Sequence, residues 1–364
     1  MSKEQAQIQE QARAFDDMMK WHLDQYPAMQ PQDAIKLTYQ NEFGCGHGLT
    51  SFADCLARIQ SEHKQWGYDS SQKLIEDIGN GYCRINLKAI PDDEYAFLAL
   101  SRLFMASANA GGGDTHSFEQ KINRLPELIK NTNLTFSAAG FMNVFAQWKE
   151  ERMPLPRHSG VYNDTYKPAY RVLHNTYASC YELVRLIERI RIQKNVVRIA
   201  IDGMSGSGKS TLAHTLATLY DANIISMDDF FLPPSLRTDE RLGEPGGNIH
   251  YERFLDEAVN GLISGDPFEY RVFDCSAMDY GATCYVESKP ISICEGSYSH
   301  HPYFGKPYDI KVFACCSPQE QARRIIKRNG EDSYARFASQ WIPMENAYFA
   351  FYAIRENSDY IFNT

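Results

Sequence analysis

The chain has 364 residues, a formal net charge of −9 at pH 7, 43% hydrophobic residues and 23% charged residues. This composition is typical of folded globular proteins and excludes a disordered, collagen-like or coiled-coil chain, and at roughly 100 to 200 residues per domain the length predicts two or three domains. The acidic balance argues against nucleic acid or an anionic membrane surface as the main partner, although it permits a local basic site for a phosphate.

The N-terminal segment and the cysteines indicate the compartment of the protein. The segment MSKEQAQIQEQARAF lacks the apolar core of a signal peptide, and no later stretch approaches the roughly 18 apolar residues of a membrane span. The nine cysteines are scattered, odd in number and without a C-x-x-C pair, which suits a reducing compartment. We therefore expect a soluble, cytoplasmic protein with no membrane or nucleic-acid partner.

The first half of the chain has the periodicity of helices. Between Lys3 and Tyr26, apolar side chains recur every three or four residues, which is the pattern of an amphipathic helix. The same alternation recurs in residues 51–63, 93–108, 117–130 and 176–192. We therefore predict a mostly α-helical domain over residues 1–192, without a strong strand signal.

Three segments of this half combine turn residues with side chains that can bind an anion or a metal. They cover residues 41–48, 79–84 and 156–171, and they contain Glu42, His47, Arg84, Arg157, His158 and Arg171. One hypothesis is that these side chains converge on a ligand pocket, and the alternative is that the segments are turns between helices, with arginines capping carbonyl groups. Presentation of a substrate, binding of a regulator and formation of a homo-oligomer all stay open as roles of this half.

The pattern changes near Asn195, where short β-branched runs begin to alternate with helical stretches. The predicted strands are residues 196–202, 223–227, 290–295 and 309–315, followed by a last one at 360–362. Predicted helices at 209–220, 251–264 and 319–328 lie between them. Such alternation predicts βαβ units and a parallel sheet, so residues 193–364 are expected to form a domain of the α/β class.

A complete phosphate-binding motif follows the first of these strands. The sequence GMSGSGKS fits G-x-x-x-x-G-K-[ST], and the predicted nucleotide-binding residues are Gly203, Met204, Ser205, Gly206, Ser207, Gly208, Lys209, Ser210 and Thr211. In such a loop, backbone N–H groups surround the β-phosphate, the lysine reaches the β- and γ-phosphates, and the serine hydroxyl binds Mg²⁺. A plain glycine-rich turn is the alternative, and the strand before the motif and the helix after it favour the phosphate loop.

Two carboxylates are expected at the same edge of the sheet, because ligands bind at the carboxyl ends of parallel strands. Glu295 ends the strand 290–295 and could hold the water shell of Mg²⁺, although a glutamate at a strand end is often simply solvated. Asp228 follows the strand 223–227, where it could orient an attacking hydroxyl and accept its proton. We favour Asp228 over Asp229 as this base, and a helix cap or turn is the alternative for the pair.

The helix that begins at Ser317 and Pro318 is rich in cations. It contains Arg323, Arg324, Lys327 and Arg328. Arg324 and Arg328 are four residues apart and therefore share one face, from which they could close over the phosphates and neutralise the transferring group. The alternative is that these cations only interact favourably with the dipole at the end of the helix.

The segments GMSGSGKS, ISMDDFF, ICEG and ARRIIKR, in this order and at these spacings, resemble the uridine kinase and phosphoribulokinase family of P-loop kinases, which includes the nicotinamide riboside kinases. The resemblance covers residues 196–362. It implies a five-stranded parallel core flanked by helices, Mg-ATP as the donor and a hydroxyl of a small molecule as the acceptor. It also implies Lys209 and Ser210 at the phosphates and metal, Asp228 as the base, Glu295 near the metal and the arginines of 323–328 as a lid.

The acceptor side departs from this family. Uridine kinases carry an acidic residue for the ribose hydroxyls, for which Glu252 is the nearest candidate, and a tyrosine and a histidine that the stretch 272–278 lacks. An N-K-x-D guanine-reading motif is also missing, which favours an adenine nucleotide. We therefore predict an ATP-dependent kinase for a nucleoside, riboside or sugar-type acceptor. The alternative is an ATP-binding switch whose nucleotide state controls the N-terminal half, for which the resemblance implies no activity.

Overall fold

The computed structural model describes residues 3–46, 48–130, 132 and 134–364. The chain divides into two compact units, Met1–Arg185 and Leu186–Thr364. The division lies inside a helix, Tyr181–Arg191, whereas the sequence pattern placed the boundary after this helix. Along the described part of the chain, no helix is both long and apolar enough to cross a membrane.

The N-terminal unit is mainly helical, as predicted. Its helices, with the one that crosses the division, are α1 (Lys3–Gln25), α2 (Pro31–Phe43), α3 (Phe52–Trp66), α4 (Glu94–Asn109), α5 (Thr115–Ile129), α6 (Ala138–Glu150), α7 (Gly160–Tyr166), α8 (Asn175–Ala178) and α9 (Tyr181–Arg191). Several begin at a side chain that accepts a hydrogen bond from the first turn, as Ser51 does for α3 and Asp93 for α4. Such caps satisfy backbone N–H groups that have no partner inside the helix.

This unit also contains an antiparallel sheet, where no strand was predicted. Its strands are β1 (Ile75–Asp77), β2 (Tyr82–Asn86) and β3 (Tyr170–His174), in the order β1-β2-β3. They are three to five residues long, and β3 pairs with β2 across helices α4 to α7. Strands this short carry too few residues for a clear period of two, and their pairing depends on contacts distant in the chain.

The core of the N-terminal unit lies between α1, α2, α5 and α6. Its buried side chains include Phe15, Met19, Leu23, Leu37, Phe118, Ile122, Phe141 and Phe145. These residues recur at helical spacing within each helix, so each helix presents one apolar face to the others. The helices α2 and α6, which were not predicted, contribute to the same core.

The C-terminal unit has the predicted α/β fold. Its strands are β4 (Val197–Gly203), β5 (Asn223–Ser226), β6 (Phe268–Asp274), β7 (Asp279–Val286), β8 (Ile291–Glu295), β9 (Ile310–Cys315) and β10 (Tyr360–Asn363). Its helices are α10 (Lys209–Tyr220), α11 (Asp239–Gly243), α12 (Tyr251–Phe254), α13 (Asn260–Ser264), α14 (Pro318–Asn329), α15 (Glu331–Arg336) and α16 (Ile342–Phe351). Five strands form a parallel sheet in the order β10-β9-β4-β8-β5, which confirms the predicted fold class.

The central strand of this sheet is β4, which pairs with β9 on one side and β8 on the other. Its core residues Ile199, Ala200 and Ile201 are fully buried, as expected for a parallel strand covered on both faces. Because all five strands are parallel, the carboxyl ends of β4, β5 and β8 meet at one edge. That edge carries the phosphate-loop motif and both predicted carboxylates.

A separate antiparallel hairpin, β6 with β7, occupies a stretch for which no strand was predicted. Tyr270 and Phe273 of β6 and Val286 of β7 are buried, while most of their neighbours along the strands are at least partly exposed. The turn residues 275–278 lack the Asn-Gly or Asp-Gly pair that usually reveals a hairpin, and Met278 adopts a left-handed conformation with φ of 56°. The hairpin was therefore not recognisable from its turn.

Candidate functional site

The glycine-rich loop joins β4 to α10 and is shaped by two special backbone positions. Gly203 has a φ of 135°, and a Cβ atom at this position would lie 2.0 Å from the carbonyl oxygen of Ala314 in β9. Gly208 has a φ of 90° and immediately precedes the first turn of α10. Only glycine satisfies both the close approach and the left-handed backbone, so these residues fix the path of the loop.

Lys209 lies back across this loop. Its Nζ atom donates to the carbonyl oxygens of Gly203 at 2.8 Å and Met204 at 3.0 Å, and it lies 3.3 Å from Oγ of Ser297. The ammonium group is therefore held by neutral oxygens and has no carboxylate partner among the described residues. A cation held in this way keeps its charge available for an anion.

Ser210 and Glu295 meet beside the loop. The hydroxyl of Ser210 donates to Oε2 of Glu295 at 3.1 Å, and Oγ of Ser226 lies 3.5 Å from Oε1. Glu295 is only 8% exposed, and this burial raises the pKa of its carboxyl group, while the charge of Lys209 and the hydrogen bond from Ser210 oppose the rise. A hydroxyl and a carboxylate in contact are both oxygen ligands of the kind that Mg²⁺ uses.

This donor set is too small to hold a metal ion alone. No group of three or more His, Cys, Asp or Glu side chains that could bind a metal occurs in the part of the chain that the structure describes. Magnesium typically takes only one or two protein carboxylates and completes its shell with water and substrate phosphates. The residues therefore fit a magnesium ion that binds together with a nucleotide.

The two adjacent aspartates after β5 face different surroundings. Asp228 lines the cavity beside the loop, and its backbone N–H donates to Oγ of Ser226 at 3.3 Å. The carboxylate of Asp229 accepts a hydrogen bond from the hydroxyl of Tyr270 at 2.9 Å and does not line the cavity. Burial and the neighbouring charge of Asp228 raise the pKa of Asp229, although the hydrogen bond from Tyr270 opposes this. Of the pair, only Asp228 is available to a ligand.

The cavity has a volume of about 510 Å³, which suits a small-molecule site. The structure brings ten of the predicted site residues to its walls, namely Ser205, Gly206, Gly208, Lys209, Ser210, Thr211, Asp228, Glu295, Arg324 and Arg328. Gly203, Met204 and Ser207 belong to the loop but do not line the cavity. Charges of both signs therefore surround one space at the carboxyl edge of the sheet.

The arginines of α14 divide into two groups. Arg324 donates through Nη1 to the carbonyl oxygen of Gly206 at 3.2 Å and through Nε to Glu320 at 2.6 Å. Arg328, one turn further along, also lines the cavity. Arg323 is exposed, is paired with Glu320 and does not line the cavity. The structure therefore places two of the three predicted arginines at the site.

Glu252 lies outside this cavity, in contrast to the hypothesis that it binds the acceptor. Both of its carboxylate oxygens accept hydrogen bonds from Arg241, at 2.7 and 2.9 Å. The guanidinium group of Arg241 also stacks on the ring of Tyr251, 3.6 Å from its centre. The carboxylate is thus committed to a local ion pair, which the isolated sequence could not reveal.

Glu345 is a site residue that the sequence did not indicate. It lies on α16 and is 5% exposed, yet it lines the cavity. Its carboxylate accepts hydrogen bonds from the backbone N–H of Ser205 at 2.9 Å and from the hydroxyl of Ser297 at 2.8 Å. The contact joins residues 140 positions apart, and nothing in the sequence around Glu345 marks it as a partner of the loop.

Asn248 is a second such residue. It is 7% exposed and lines the cavity, and its Oδ1 atom has no hydrogen-bond partner among the described residues. A buried acceptor without a partner is costly, so this oxygen is available to a polar ligand. Phe231, Tyr298, Phe337 and Trp341 add aromatic surface to the same walls. Asn248 was not among the site residues predicted from the sequence.

Of the six N-terminal candidates, the structure links two. Arg84 donates to Oε1 of Gln40 and stacks on the ring of Tyr170, whose hydroxyl lies 2.5 Å from Nε2 of His158. His158 also contacts Asp33 at 2.9 Å. Burial lowers the pKa of His158 to about 4, which leaves its ring neutral near pH 7. Arg84 and His158 therefore belong to one buried polar network.

The other N-terminal candidates do not join this network. Glu42 accepts from Lys121 and from the backbone of Asp114, Arg171 pairs with Glu62 at 2.9 Å, and Arg157 is exposed. His47 lies outside the described residues. The five candidates that the structure describes therefore do not converge on one pocket. The ion pair of Arg171 and the contacts of Glu42 are ordinary structural roles.

The fold and the loop together define an α/β unit of the P-loop type. No protein-family model and no curated relative matches the chain. Some solved structures are similar to about half of the chain. A possible uridine kinase from Bacillus stearothermophilus is 17% identical, with 49% of this chain and 98% of that chain covered and a TM-score of 0.33.

Two further solved structures show the same partial coverage. A candidate fructose transport system kinase from Silicibacter sp. TM1040 is 22% identical over 48% of this chain and 94% of that chain, with a TM-score of 0.38. Shikimate kinase from Bacteroides thetaiotaomicron is 21% identical over 46% of this chain and 85% of that chain, with a TM-score of 0.25. At these identities the likeness concerns the fold alone, so the reaction has to be argued from the site.

Proposed function

We propose that the C-terminal unit transfers the γ-phosphoryl group of ATP to a hydroxyl group of a small molecule. The observation that carries the proposal is the convergence of Lys209, Ser210, Asp228 and Glu295 on one cavity beside the glycine-rich loop. Phosphoryl transfer needs a bound and neutralised phosphate chain, a metal position and a group that receives a proton. Lys209 would meet the first need, Ser210 and Glu295 the second, and Asp228 the third.

The phosphate chain would bind between the loop and α14. Backbone N–H groups of the loop and the N-terminus of α10 favour an anion, and Lys209 adds a full positive charge. Arg324 and Arg328 line the same space and add two further cations. Cations held at fixed positions stabilise the negative charge that spreads over the transferring group in the transition state.

Ser210 and Glu295 would hold Mg²⁺ through their oxygens. When bound, the metal ion neutralises phosphate oxygens and helps to orient them for transfer. Glu295 must be ionised for this role, and the nearby charge of Lys209 favours its ionised form against the effect of burial. Ser210 and Glu295 are adjacent before any ligand binds, which reduces the rearrangement that binding requires.

Asp228 would orient the acceptor and receive its proton. The acceptor oxygen forms a bond to the γ-phosphorus as the bond between this phosphorus and the bridging oxygen breaks, and ADP leaves. The hydroxyl proton passes to the carboxylate of Asp228, which lines the cavity and forms no ion pair with any residue that the structure describes. Aromatic walls at Phe231, Phe337 and Trp341 would restrict water, which competes with the acceptor.

The free oxygen of Asn248 supports a polar acceptor with more than one hydroxyl group. One hydroxyl would face Asp228, and another could donate to Oδ1 of Asn248, which lacks a partner among the residues described. Tyr298 lines the cavity nearby. A nucleoside, a riboside or a sugar offers such a set of hydroxyl groups, so these are the proposed acceptor classes.

Replacing Asn248 with alanine should raise the KM for the acceptor by about two- to tenfold, because one neutral hydrogen bond contributes roughly 0.5 to 1.5 kcal/mol. The KM for ATP should change little, since the side chain faces the acceptor. Steady-state kinetics with each substrate varied in turn will measure both values. Asn223→Ala on β5, outside the cavity, is the matched control, and an unchanged acceptor KM in Asn248→Ala would disprove this role.

Replacing Glu345 with glutamine should tighten ATP binding by roughly three- to tenfold. The carboxylate accepts the hydrogen bond of the Ser205 N–H group and places a negative charge where phosphates would bind. Even at the dielectric constant of water, two like charges about 4 Å apart repel each other by about 1 kcal/mol. Calorimetric titration with a non-hydrolysable ATP analogue will measure the change. The control is Glu331→Gln on exposed α15. Weaker binding in Glu345→Gln would show instead that the carboxylate supports the loop.

The proposed function is tested by a screen of acceptors in the presence of Mg-ATP. Nucleosides, ribosides, sugars and sugar phosphates are added singly, and the release of ADP and the phosphorylated product are measured together. We expect one class to raise ADP release well above the background hydrolysis, with an equal amount of product. If no acceptor does so, the transfer reaction is rejected and a nucleotide-controlled switch becomes the better explanation of the site.

A further inference from the structure

The N-terminal unit has its own cavity, with a volume of about 610 Å³. Its walls come from α1, β1, β2, α7 and the start of β3. Five aromatic side chains line it, namely Trp21, Tyr26, Tyr162, Tyr166 and Tyr170. A concave space of this size, with aromatic side chains beside charged and polar ones, suits a small molecule that has both a ring and polar groups.

A buried ion pair forms part of one wall. Arg84 is 4% exposed and donates to Glu76 at 2.9 Å and to Oε1 of Gln40 at 2.7 and 3.1 Å. The hydroxyl of Tyr26 donates to the other oxygen of Glu76. The free-energy cost of removing two charges from water offsets much of the attraction between them. A buried ion pair therefore contributes little to the stability of the fold. Its position on a cavity wall favours a role in binding.

One tyrosine hydroxyl in the cavity has no partner. Tyr162 is 2% exposed and its hydroxyl forms no hydrogen bond with any residue that the structure describes. In contrast, the hydroxyl of Tyr166 accepts from the backbone of Ala28 at 2.8 Å, and that of Tyr170 contacts His158 at 2.5 Å. Because Tyr162 lines the cavity, its hydroxyl is open to a polar ligand, which would supply the missing hydrogen bond.

The cavity also has unpaired positive charge. Lys73, Lys88 and Lys167 line it, and none of them forms an ion pair within the described residues. The Nζ atom of Lys88 donates to the carbonyl oxygen of Lys167 at 2.9 Å. Burial and the nearby charge of Lys167 lower the pKa of Lys88. The lining cations Lys73, Arg84, Lys88 and Lys167 outnumber the carboxylates Glu76 and Asp77, so the cavity carries an excess of positive charge that can attract an anion.

We propose that this cavity binds a small organic oxyanion that carries a flat ring, with the ring against the tyrosines and the anionic group near Lys88 and Lys167. The hydroxyl of Tyr162 donates to or accepts from a polar group of the ligand. The site lies entirely in the N-terminal unit and does not depend on the proposed kinase function. It gives this unit a ligand of its own.

The test uses the full chain and 1-naphthyl phosphate, which combines two fused rings with a phosphate. Calorimetric titration should show binding that is at least tenfold tighter than that of 1-naphthol, which lacks the charge, or of inorganic phosphate, which lacks the ring. The double variant Lys88→Gln/Lys167→Asn should weaken the Kd at least fivefold. Glutamine can still donate to the carbonyl group of residue 167, and asparagine tolerates the left-handed backbone that Lys167 adopts.

The other variants separate this site from the phosphate loop and from general loss of stability. Tyr162→Phe keeps the ring and should weaken the Kd about two- to tenfold, whereas Tyr181→Phe, a buried tyrosine whose hydroxyl also lacks a partner but lies outside the cavity, should not. Lys209→Ala should leave the titration unchanged. The proposal is overturned if the probe does not bind at millimolar concentration, if only Lys209→Ala abolishes binding, or if the cavity variants bind like the wild type.

Discussion

Replacing Lys209 with alanine is expected to abolish the stabilisation of the C-terminal unit by ATP. At a hundredfold excess over the Kd, a bound nucleotide stabilises the folded state by about 2.7 kcal/mol, or roughly 5 to 11 °C in Tm for a unit of this size. Lys209 supplies the charge nearest to the loop, where its Nζ contacts two loop carbonyl groups. Without it, only Arg324 and Arg328 on α14 would offset the charges of Glu345 and Glu295, and the cation at the loop itself would be missing, so both binding and turnover should be lost.

Thermal melts with and without Mg-ATP will measure this effect. Lys327→Ala removes an exposed lysine of α14 that does not line the cavity, and it should keep the full nucleotide-dependent rise. The melting temperature without nucleotide reports whether the loop itself is damaged in Lys209→Ala. A nucleotide-dependent rise of wild-type size in Lys209→Ala would refute the assignment of residues 203–211 as the phosphate site.

Replacing Asp228 with asparagine is expected to lower kcat for acceptor phosphorylation by about 10²- to 10⁴-fold, the usual contribution of a positioned general base. Asparagine has nearly the same shape but cannot receive the proton of the acceptor hydroxyl. ATP binding should be unchanged or slightly tighter, because a negative charge near the phosphates is removed. Product formation in single-turnover experiments and calorimetric titration with an ATP analogue will measure the two effects separately.

Asp229→Asn is the matched control, because it changes the neighbouring carboxylate in the same way. Asp229 is engaged by Tyr270 and lies outside the cavity, so its replacement should change kcat by less than about threefold. An Asp228→Asn variant that still phosphorylates the acceptor at the wild-type rate would eliminate Asp228 as the base. A large loss in Asp229→Asn alone would move that role to its neighbour.

The sequence predicted those parts of the fold that local patterns determine. The strands of the parallel sheet are short β-branched runs with helices between them, and the phosphate-loop motif follows the first of these strands. The helices α1, α3, α4 and α5 have apolar faces with a clear helical period. In each of these elements, the residues that decide the structure lie within a few turns of one another.

The missed elements depend on contacts that are distant in the chain. The strands β1 to β3 are too short for a clear period, and the hairpin β6–β7 has a turn without the usual residues. Helices α2 and α6 bury faces that only the assembled N-terminal core defines. Because a partner far along the chain completes each of these elements, the local sequence carried little sign of them.

The site shows the same division. A contiguous motif revealed the loop, and the ends of predicted strands revealed Asp228 and Glu295, all of which line the cavity. Glu345 lies on a helix and Asn248 in a glycine-rich loop, and both line the same cavity. Neither residue lies at the end of a predicted strand or within a recognisable motif. Glu252 was chosen by analogy with uridine kinases. In the structure it forms an ion pair with Arg241 and does not line the cavity. The sequence alone therefore could not show which side chains pair with each other in the folded protein.

The central position of β4 also has a consequence for folding kinetics. Its two neighbours, β8 and β9, come about 90 residues or more later in the chain, and parallel pairs of such separation form slowly because a long loop must close first. The hydrogen bond between Ser210 and Glu295 spans 85 residues and depends on the same pairing. During synthesis, the residues of the phosphate loop are therefore made long before β8 and β9 are available to stabilise its conformation. Nucleotide affinity should appear only in the last phase of folding, together with the closed sheet.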